Sequence, residues 1–252
     1  MRRPRRRSRV AVLSLALVML ACGSPSEPGR QPLLVFAAAS LTEAFENLAD
    51  AFEEAHPDLS VELNLGASSS LARQILEGAP ADVFASADTA NMEHVIEGGA
   101  ALNSSILVAN SLQIAVPAGN PGGVAGIGDF AREDLLIGLC DEGVPCGNFA
   151  REALANAGVV AAVDTNEPDV RALLLKIEVG ELDAGIVYST DVLAAGDQVE
   201  AIEIPTDVNV SVTYQIAVLT GARNRRSADA FVTFAHSEEA RGILAGHGFS
   251  LP

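Results

Sequence analysis

Small polar residues in this sequence stand where predicted strands give way to predicted helices. Ser40 follows an apolar strand-like run and, with Glu43 three residues later, forms the Ser-x-x-Glu capping-box pattern of a helix N-terminus. The run Gly66-Ala67-Ser68-Ser69-Ser70 holds the same place after the next predicted strand. In a parallel sheet both turns lie at the carboxyl edge of the strands. They therefore predict two helix N-termini that face the same side of the sheet.

Two further helix starts are predicted in the second half of the chain. Val144-Pro145-Cys146-Gly147 leads into a helix near Phe149, and Asn166-Glu167-Pro168-Asp169-Val170 begins another. A helix N-terminus offers unpaired main-chain N–H groups and a partial positive charge. Four such starts, two from each half, can form an oxyanion site in one cleft without any cationic side chain.

The sequence around these helix starts is nearly free of cations. It has no Gly-x-x-x-x-Gly-Lys phosphate loop, and only Arg171 lies in the first turn of one of these four helices. Neutral donors select a guest by its geometry and by its protonation state. A guest with O–H groups of its own would place hydrogen-bond donors against the donors of the site, which is unfavourable. The preferred guest is therefore a fully deprotonated oxyanion.

Each of these features also has an ordinary structural explanation. Ser40 belongs to a residue type that commonly caps helices, and the serines at 68–70 fit a solvated turn. Tyr188, which ends another predicted strand, fits a core residue with a satisfied hydroxyl. An exported hydrolase and a purely structural lipoprotein are the alternative functions. A hydrolase is disfavoured because the serine turns lack a Gly-x-Ser-x-Gly elbow and no histidine accompanies them.

Strand-like apolar runs alternate with amphipathic helical stretches along the chain, which predicts an α/β fold built on largely parallel sheets. The helix over 41–55 is typical, since Phe45, Leu48 and Phe52 fall on one face. The predicted strands are 33–36, 61–65, 82–86, 111–116, 135–139, 184–188 and 211–219, and the predicted helices are 41–55, 71–77, 90–97, 149–157, 169–179, 228–235 and 238–244.

The order of these elements predicts two lobes. A Gly/Pro-rich stretch at 119–123 separates two similar α/β patterns. The extended segments 111–116 and 211–219 lie a hundred residues apart and predict that the chain crosses between the lobes twice, with a ligand cleft between them. The predicted boundaries are 32–112 and 217–252 for lobe 1, and 113–216 for lobe 2.

The N-terminal segment predicts export. Six arginines precede the apolar run Val10 to Ala21, and Leu20-Ala21-Cys22-Gly23 is similar to a bacterial lipobox. Residues 1–22 are thus a predicted lipoprotein signal peptide with lipidation at Cys22, and 23–31 a flexible stalk; an ordinary cleaved signal peptide is the alternative. Without the six leader arginines, 10 basic residues face 33 acidic ones, a net charge of −23, which argues against nucleic acid as a partner.

Two cysteines remain in the predicted mature chain. Five residues, with Gly and Pro among them, separate Cys140 from Cys146, which suits a disulfide in an oxidising compartment. A metal pair is the competing interpretation, but the four histidines are scattered along the sequence. We favour a disulfide that stiffens a loop.

Four motifs of this sequence point to one resemblance: Phe36-Ala37-Ala38-Ala39-Ser40-Leu41, the run from Ser68 to Ile75, the run from Gly78 to Asp88, and Asp183-Ala184-Gly185-Ile186-Val187-Tyr188. Together they resemble one known family, the molybdate-binding periplasmic proteins, which are ModA-like receptors of ABC importers. The resemblance covers about 32–252, and the alanine-serine motif together with Gly-Ala-Pro-Ala-Asp is highly specific.

The resemblance implies a bilobed type II periplasmic-binding-protein fold and a set of oxyanion contacts. The hydroxyls would come from two serines and one tyrosine, and the main-chain N–H groups from two helix starts. Cys146 departs from the usual alanine of the family, which a main-chain contact tolerates. The implied contacts are Ser40, Ser68 (with Ser69 as the fallback), Cys146, Val170 and Tyr188, which hold the metal only through its oxygen atoms.

The function expected from this resemblance is capture of molybdate, and of tungstate, for delivery to a membrane permease with a cytoplasmic ATPase. A receptor for another tetrahedral oxyanion such as sulfate is the alternative. The protein is expected to be a monomer that catalyses no reaction, needs no cofactor and is tethered to the outer face of the cell membrane by its lipid.

Overall fold

The computed structural model describes residues 32–252. The predicted signal peptide over 1–22, lipidation at Cys22 and the stalk over 23–31 lie outside the described residues. In the part of the chain that is described, none of the helices combines the length and the apolar character needed to span a membrane.

Strands and helices alternate through the described chain, as the sequence predicts. Short 3-10 helices occur at Ala39–Leu41, Ile127–Ala131 and Gly196–Gln198. The strands are β1 Leu33–Ala38, β2 Val61–Gly66, β3 Val83–Ser86, β4 Ser105–Pro117, β5 Ile137–Cys140, β6 Val163–Glu167, β7 Ala184–Tyr188, β8 Val199–Glu203 and β9 Ser211–Val218. The helices are α1 Thr42–Ala55, α2 Ser68–Leu76, α3 Thr89–Glu97, α4 Pro145–Asn156, α5 Val170–Glu178, α6 Ser189–Ala195, α7 Arg225–Ala235 and α8 Glu238–Gly246.

The strands form two parallel groups joined by antiparallel strands. The order is β2-β1-β3-β9-β4-β7-β5-β6, and β8 also pairs with β4. β1 is parallel to β2 and β3 in one lobe, and β5 is parallel to β6 and β7 in the other. β9 and β4 run antiparallel to their neighbours. The predicted α/β, bilobed architecture is confirmed.

The long strand β4 belongs to both lobes. Ser105 to Ser111 pair with β9, whereas the residues from Leu112 to Pro117 pair with β7 and β8. At this junction the Asn209 side chain accepts a hydrogen bond from the Leu112 main-chain N–H (3.2 Å) and donates one to the Leu112 carbonyl (2.9 Å). The sheet therefore passes from one lobe to the other without an unpaired backbone group at Leu112.

β9 differs from its predicted place at the lobe boundary. All of it pairs with strands of the first lobe, from Ser211 opposite Ser111 to Val218 opposite Val83. Residues 211–216, which sequence analysis places in lobe 2, are therefore hydrogen-bonded into lobe 1, and the chain returns to that lobe before Ser211.

Three elements of the structure are not predicted from the sequence: β6, α6 and β8. β6 lies at the end of the sheet order, and along most of it half-buried residues alternate with exposed ones, so only one of its faces meets the core. Its sequence, Val163-Asp164-Thr165-Asn166-Glu167, consequently lacks the apolar run that marks the central strands. α6 and β8 are short elements of seven and five residues, too short for a clear periodicity.

The predicted apolar face of α1 is buried. Phe45, Leu48 and Phe52 are all fully inaccessible to solvent. The Phe52 ring meets the Phe231 ring of α7 edge to face, with 5.2 Å between ring centroids. This packing fixes α1, and with it the turn that carries Ser40, against the closing helices of the chain.

Gly147 in the first turn of α4 is a position of close backbone approach. A β-carbon at Gly147 would lie 2.0 Å from the Asp141 carbonyl oxygen and 2.7 Å from that of Cys140. The loop after β5 therefore folds directly over the start of α4, and only glycine leaves room for it.

We expect Gly147→Ala to lower the melting temperature markedly, because backbone must move to relieve the clash. Gly242→Ala in α8 is the matched control, since a β-carbon there would have nothing within 4 Å and alanine favours a helix by about 1 kcal/mol. Thermal unfolding followed by circular dichroism measures both variants. Equal melting temperatures for the two variants would contradict this interpretation of Gly147.

Candidate functional site

A small cavity lies where the carboxyl ends of the strands from both lobes meet. The space open to the centre of a water-sized sphere is about 20 Å³, somewhat more than one ordered water occupies. The cavity therefore suits one compact guest. It is lined by Ala39, Ser40, Gly66, Ala67, Ser68, Ala87, Pro145, Cys146, Asp169, Val170 and Tyr188.

The lining contains all five residues that sequence analysis assigns to an oxyanion site: Ser40, Ser68, Cys146, Val170 and Tyr188. Ser69, the fallback for the second serine, lies instead on a separate surface pocket with Arg73 and His94. The structure thus brings the five residues together, and it separates Ser68 from Ser69.

Strand register explains why residues distant in sequence converge here. Ala38, the last residue of β1, pairs with Gly66, the last residue of β2, so the turns carrying Ser40 and Ser68 lie side by side. In the other lobe Cys140 at the end of β5 pairs with Glu167 at the end of β6. The helix starts that follow these two strands are neighbours for the same reason.

Ser40 does not form the predicted capping box. The N-cap of α1 is Leu41, which has no side-chain cap, and Ser40 lies one residue earlier in the 3-10 turn. The Ser40 Oγ is instead 2.8 Å from the Tyr214 hydroxyl, inside the protein. Glu43, the other member of the predicted box, forms an ion pair with Arg171 of the opposite lobe. Both side chains find long-range partners in place of the local ones.

Ser68 is held as a hydrogen-bond donor towards the cavity. It is the first residue of α2 and is buried. Its Oγ accepts a hydrogen bond of 2.9 Å from the main-chain N–H of Ala87. Since the Ala87 group can only donate, the single proton of the Ser68 hydroxyl stays available to a guest.

The second lobe supplies main-chain donors at two helix starts. Cys146 is the second residue of α4, after Pro145, and Val170 is the first residue of α5. In the described chain, neither of their N–H groups donates a hydrogen bond to another protein atom. The Asp169 carboxylate caps α5 through the N–H groups of the next two residues after Val170, so it leaves the Val170 N–H free.

A disulfide joins Cys140 to Cys146, with 5.8 Å between their Cα atoms. It ties the end of β5 to the start of α4 across the loop that also covers Gly147. No group of three or more His, Cys, Asp or Glu side chains that could hold a metal ion exists within residues 32–252. The two cysteines therefore stabilise the position of one helix start.

Tyr188 brings an unpaired hydroxyl to the cavity. The residue is 1% exposed, and its hydroxyl has no hydrogen-bond partner among the described residues. Burial raises the pKa of Tyr188 well above its usual value, so the hydroxyl keeps its proton. An orphaned hydroxyl in a buried place is costly to the folded protein, which points to a guest as its partner.

No lysine or arginine side chain is among the described residues that line this cavity. Arg171, one residue after Val170, directs its guanidinium to Glu43 of the first lobe and lies 3.9 Å from the Asp191 carboxylate. The described lining therefore has no cationic side chain; its one carboxylate, Asp169, is engaged in capping α5, and Arg171 links the two lobes beside the cavity.

Two α/β lobes joined by a long shared strand, with a small donor-lined cavity between them, define the architecture of a solute-binding protein. The family model described as bacterial extracellular solute-binding protein matches residues 33–250. The chain belongs to that family. It is a family of extracellular solute-binding proteins and not a family of enzymes.

Similar proteins lie within the molybdate branch of this class. The molybdate-binding protein ModA of Mycobacterium bovis is 35% identical over 243 residues, which are 93% of this chain and 93% of that protein. The substrate-binding domain of a putative molybdenum ABC transporter from Clostridium difficile is 27% identical, with a TM-score of 0.66 over 88% of this chain and 99% of that one.

Other solved structures share the fold at lower identity. The periplasmic molybdate-binding protein of Azotobacter vinelandii has a TM-score of 0.78 at 22% identity, over 87% of this chain and 99% of that one. The sulfate-binding protein SubI of Mycobacterium tuberculosis has a TM-score of 0.77 at 18% identity, over 87% and 86%. The fold alone therefore does not distinguish one oxyanion from another.

Sequence analysis misses the residues behind the cavity. Tyr214 on β9 bonds to Ser40, and Ala87 after β3 bonds to Ser68, yet neither partner stands near its serine in sequence. Tyr214 is one of only two tyrosines in the chain, which is the one available signal. Its contact with Ser40 becomes visible only when β9 is placed beside β3.

Asp191 provides a pH-dependent contribution to stability. Burial raises the pKa of Asp191 to about 7, against the opposing effects of the Tyr188 N–H and Arg171. Between about pH 4 and pH 7 the Asp191 carboxyl therefore keeps its proton in the folded chain, whereas it loses that proton in the unfolded chain. The stabilisation is complete below about pH 4 and disappears as the pH rises through about 7.

We expect Asp191→Asn to remove this dependence. From pH 5 to pH 8 the unfolding free energy of the natural protein should fall by about 1 to 3 kcal/mol relative to the variant. Urea unfolding of both proteins at the two pH values measures the difference, and other titrating groups cancel in the comparison. Parallel pH profiles for the two proteins would refute the assignment.

Proposed function

We propose that this protein is the extracytoplasmic receptor of an ABC importer and that it captures molybdate, and tungstate, between its lobes. The captured dianion is handed to a membrane permease with a cytoplasmic ATPase. The proposal unites the 35% identity to a molybdate-binding protein with the donor set of the cavity.

One observation carries the proposal: protonated neutral groups from both lobes converge on one small cavity that has no cationic side chain in its described lining. The hydroxyls of Ser68 and Tyr188 and the N–H groups of Cys146 and Val170 have no competing acceptor in the protein. A dianion with four oxygen atoms provides acceptors for all of them. Because the donors are held by strand register and burial, they lose little freedom when the guest binds.

Sulfate is the alternative guest, since it carries the same charge on a smaller tetrahedron. Hydrogen-bond polarity does not separate sulfate from molybdate, because both accept in every direction. Discrimination between them therefore depends on cavity size. Phosphate differs from both in its protonation state. At neutral pH it carries at least one O–H group, which would lie against a hydrogen-bond donor of the site instead of an acceptor.

The proposal involves no bond making, and it needs neither a cofactor nor a resident metal. None of the four histidines is among the described residues that line the cavity, so Ser40 and Ser68 lack a base to activate them. We further propose that the protein acts as a monomer. Lipid on Cys22 would tether it to the outer face of the membrane beside its permease.

Calorimetric titration with molybdate, tungstate, sulfate and phosphate in parallel tests the function. We expect tight binding of molybdate and tungstate, weaker binding of sulfate and the weakest binding of phosphate. Sulfate binding more tightly than molybdate would support the alternative receptor. Absence of binding to all four anions would refute the proposal.

Tyr188→Phe tests the orphaned hydroxyl. We expect molybdate affinity to fall by about 10- to 100-fold, the value of one hydrogen bond to a charged acceptor. The unfolding free energy of the ligand-free protein should be unchanged or higher by up to about 1 kcal/mol, because the variant removes a buried polar atom that has no protein partner. Titration and urea unfolding measure the two quantities.

Ser69→Ala is the control for this experiment, since it removes a hydroxyl one residue away from the cavity lining. Its molybdate affinity should match that of the natural protein. A loss of stability in Tyr188→Phe together with unchanged affinity would show that the hydroxyl is structural.

A further inference from the structure

A buried chain of polar groups stands behind Ser40. It runs from the Asn110 amide on β4 through the Tyr214 hydroxyl on β9 to the Ser40 Oγ. All three residues are buried, and neither Asn110 nor Tyr214 is part of the cavity lining. We propose that Tyr214 and Asn110 are positioning residues that turn the Ser40 proton into the cavity and so make Ser40 a donor only. This inference depends on the proposed function.

The first step is the orientation of the Asn110 side chain. Its Oδ1 accepts hydrogen bonds from the Ser111 main-chain N–H (2.9 Å) and from the Ser189 hydroxyl (2.8 Å). A main-chain N–H can only donate, so this atom must be the amide oxygen. The other amide atom, Nδ2, therefore faces Thr190 Oγ1 at 2.9 Å and the Tyr214 oxygen at 3.5 Å.

The second step is the direction of the Tyr214 proton. The Asn110 Nδ2 can only donate, so the Tyr214 oxygen is an acceptor on that side. Its own proton can then point to Ser40 Oγ at 2.8 Å or to the neighbouring Tyr188 hydroxyl, and we assign it to the 2.8 Å contact with Ser40 as the acceptor. Burial raises the pKa of Tyr214 far above its usual value, which keeps the proton in place.

The consequence lies in the Ser40 hydroxyl. Because its oxygen accepts from Tyr214, its single proton is not needed inside the protein and can point to the guest. Ser68 has the same arrangement with a different hydrogen-bond donor, since its oxygen accepts a hydrogen bond from the Ala87 N–H. Both serines are therefore donors fixed from behind, which favours an oxyanion without hydrogens over one that carries them.

A double-mutant cycle tests the inference, with Ser40→Ala, Tyr214→Phe and the double variant titrated with molybdate. Tyr214→Phe should weaken binding roughly threefold to tenfold in the natural background and less than twofold in the Ser40→Ala background. Binding of inorganic phosphate should increase relative to molybdate in Tyr214→Phe but not in Ser40→Ala, since only a Ser40 oxygen released from Tyr214 can accept a hydrogen bond from the phosphate O–H.

Thr190→Val is the matched control, because it removes the other acceptor of the same Asn110 amide without touching Ser40. Its molybdate affinity should be unchanged. Asn110→Asp gives a second variant, in which a carboxylate oxygen replaces the amide donor and accepts a hydrogen bond from the Tyr214 hydroxyl. Its cost should again shrink in the Ser40→Ala background, and the added charge cancels within the cycle.

The outcomes separate the two proposals. Equal costs of Tyr214→Phe in both backgrounds, or an unchanged phosphate-to-molybdate ratio, would overturn the positioning role while leaving the receptor function intact. Failure of the natural protein to bind molybdate would instead remove the proposed function itself.

Discussion

The direction of hydrogen bonds at the cavity is the constraint on which the site depends. A hydroxyl can donate or accept, and only its surroundings decide which. Ser68 receives a hydrogen bond from the Ala87 N–H, which leaves its own proton free for a guest. In the arrangement proposed above, Ser40 receives one from Tyr214 in the same way. Peptide N–H groups have no such ambiguity, which explains why the second lobe can use Cys146 and Val170 whatever their side chains are.

Strand register gives these donors their positions. The pairing of Ala38 with Gly66 and of Cys140 with Glu167 sets two adjacent turns in each lobe to a common height. Main-chain groups at the ends of paired strands cannot move independently of the sheet. The proposed guest site is thus built on hydrogen-bonded strand ends in each lobe, and β4 connects the two lobes.

Local sequence patterns predict the helix starts well, because N–H exposure at a helix N-terminus depends on a few neighbouring residues. They fail where a distant residue competes. The Ser40 and Glu43 pattern predicts a capping box. In the structure, however, Ser40 is hydrogen-bonded to Tyr214, 174 residues away, and Glu43 forms an ion pair with Arg171. The choice between Ser68 and Ser69 is equally beyond a local pattern, since adjacent residues at a helix start differ by about 100° in direction.

The acidic character of the chain means that long-range electrostatics do not draw an anion to the cavity. Residues 23–252 carry a net charge of −23, which repels a dianion at long range, but salt limits this repulsion to about 8 Å under physiological conditions. Short-range donors then decide the affinity. A lysine or arginine in the cavity would attract singly charged and protonated anions as well, at the expense of selectivity. Arg171 is instead paired with Glu43 of the opposite lobe, and neither residue is among the described residues that line the cavity.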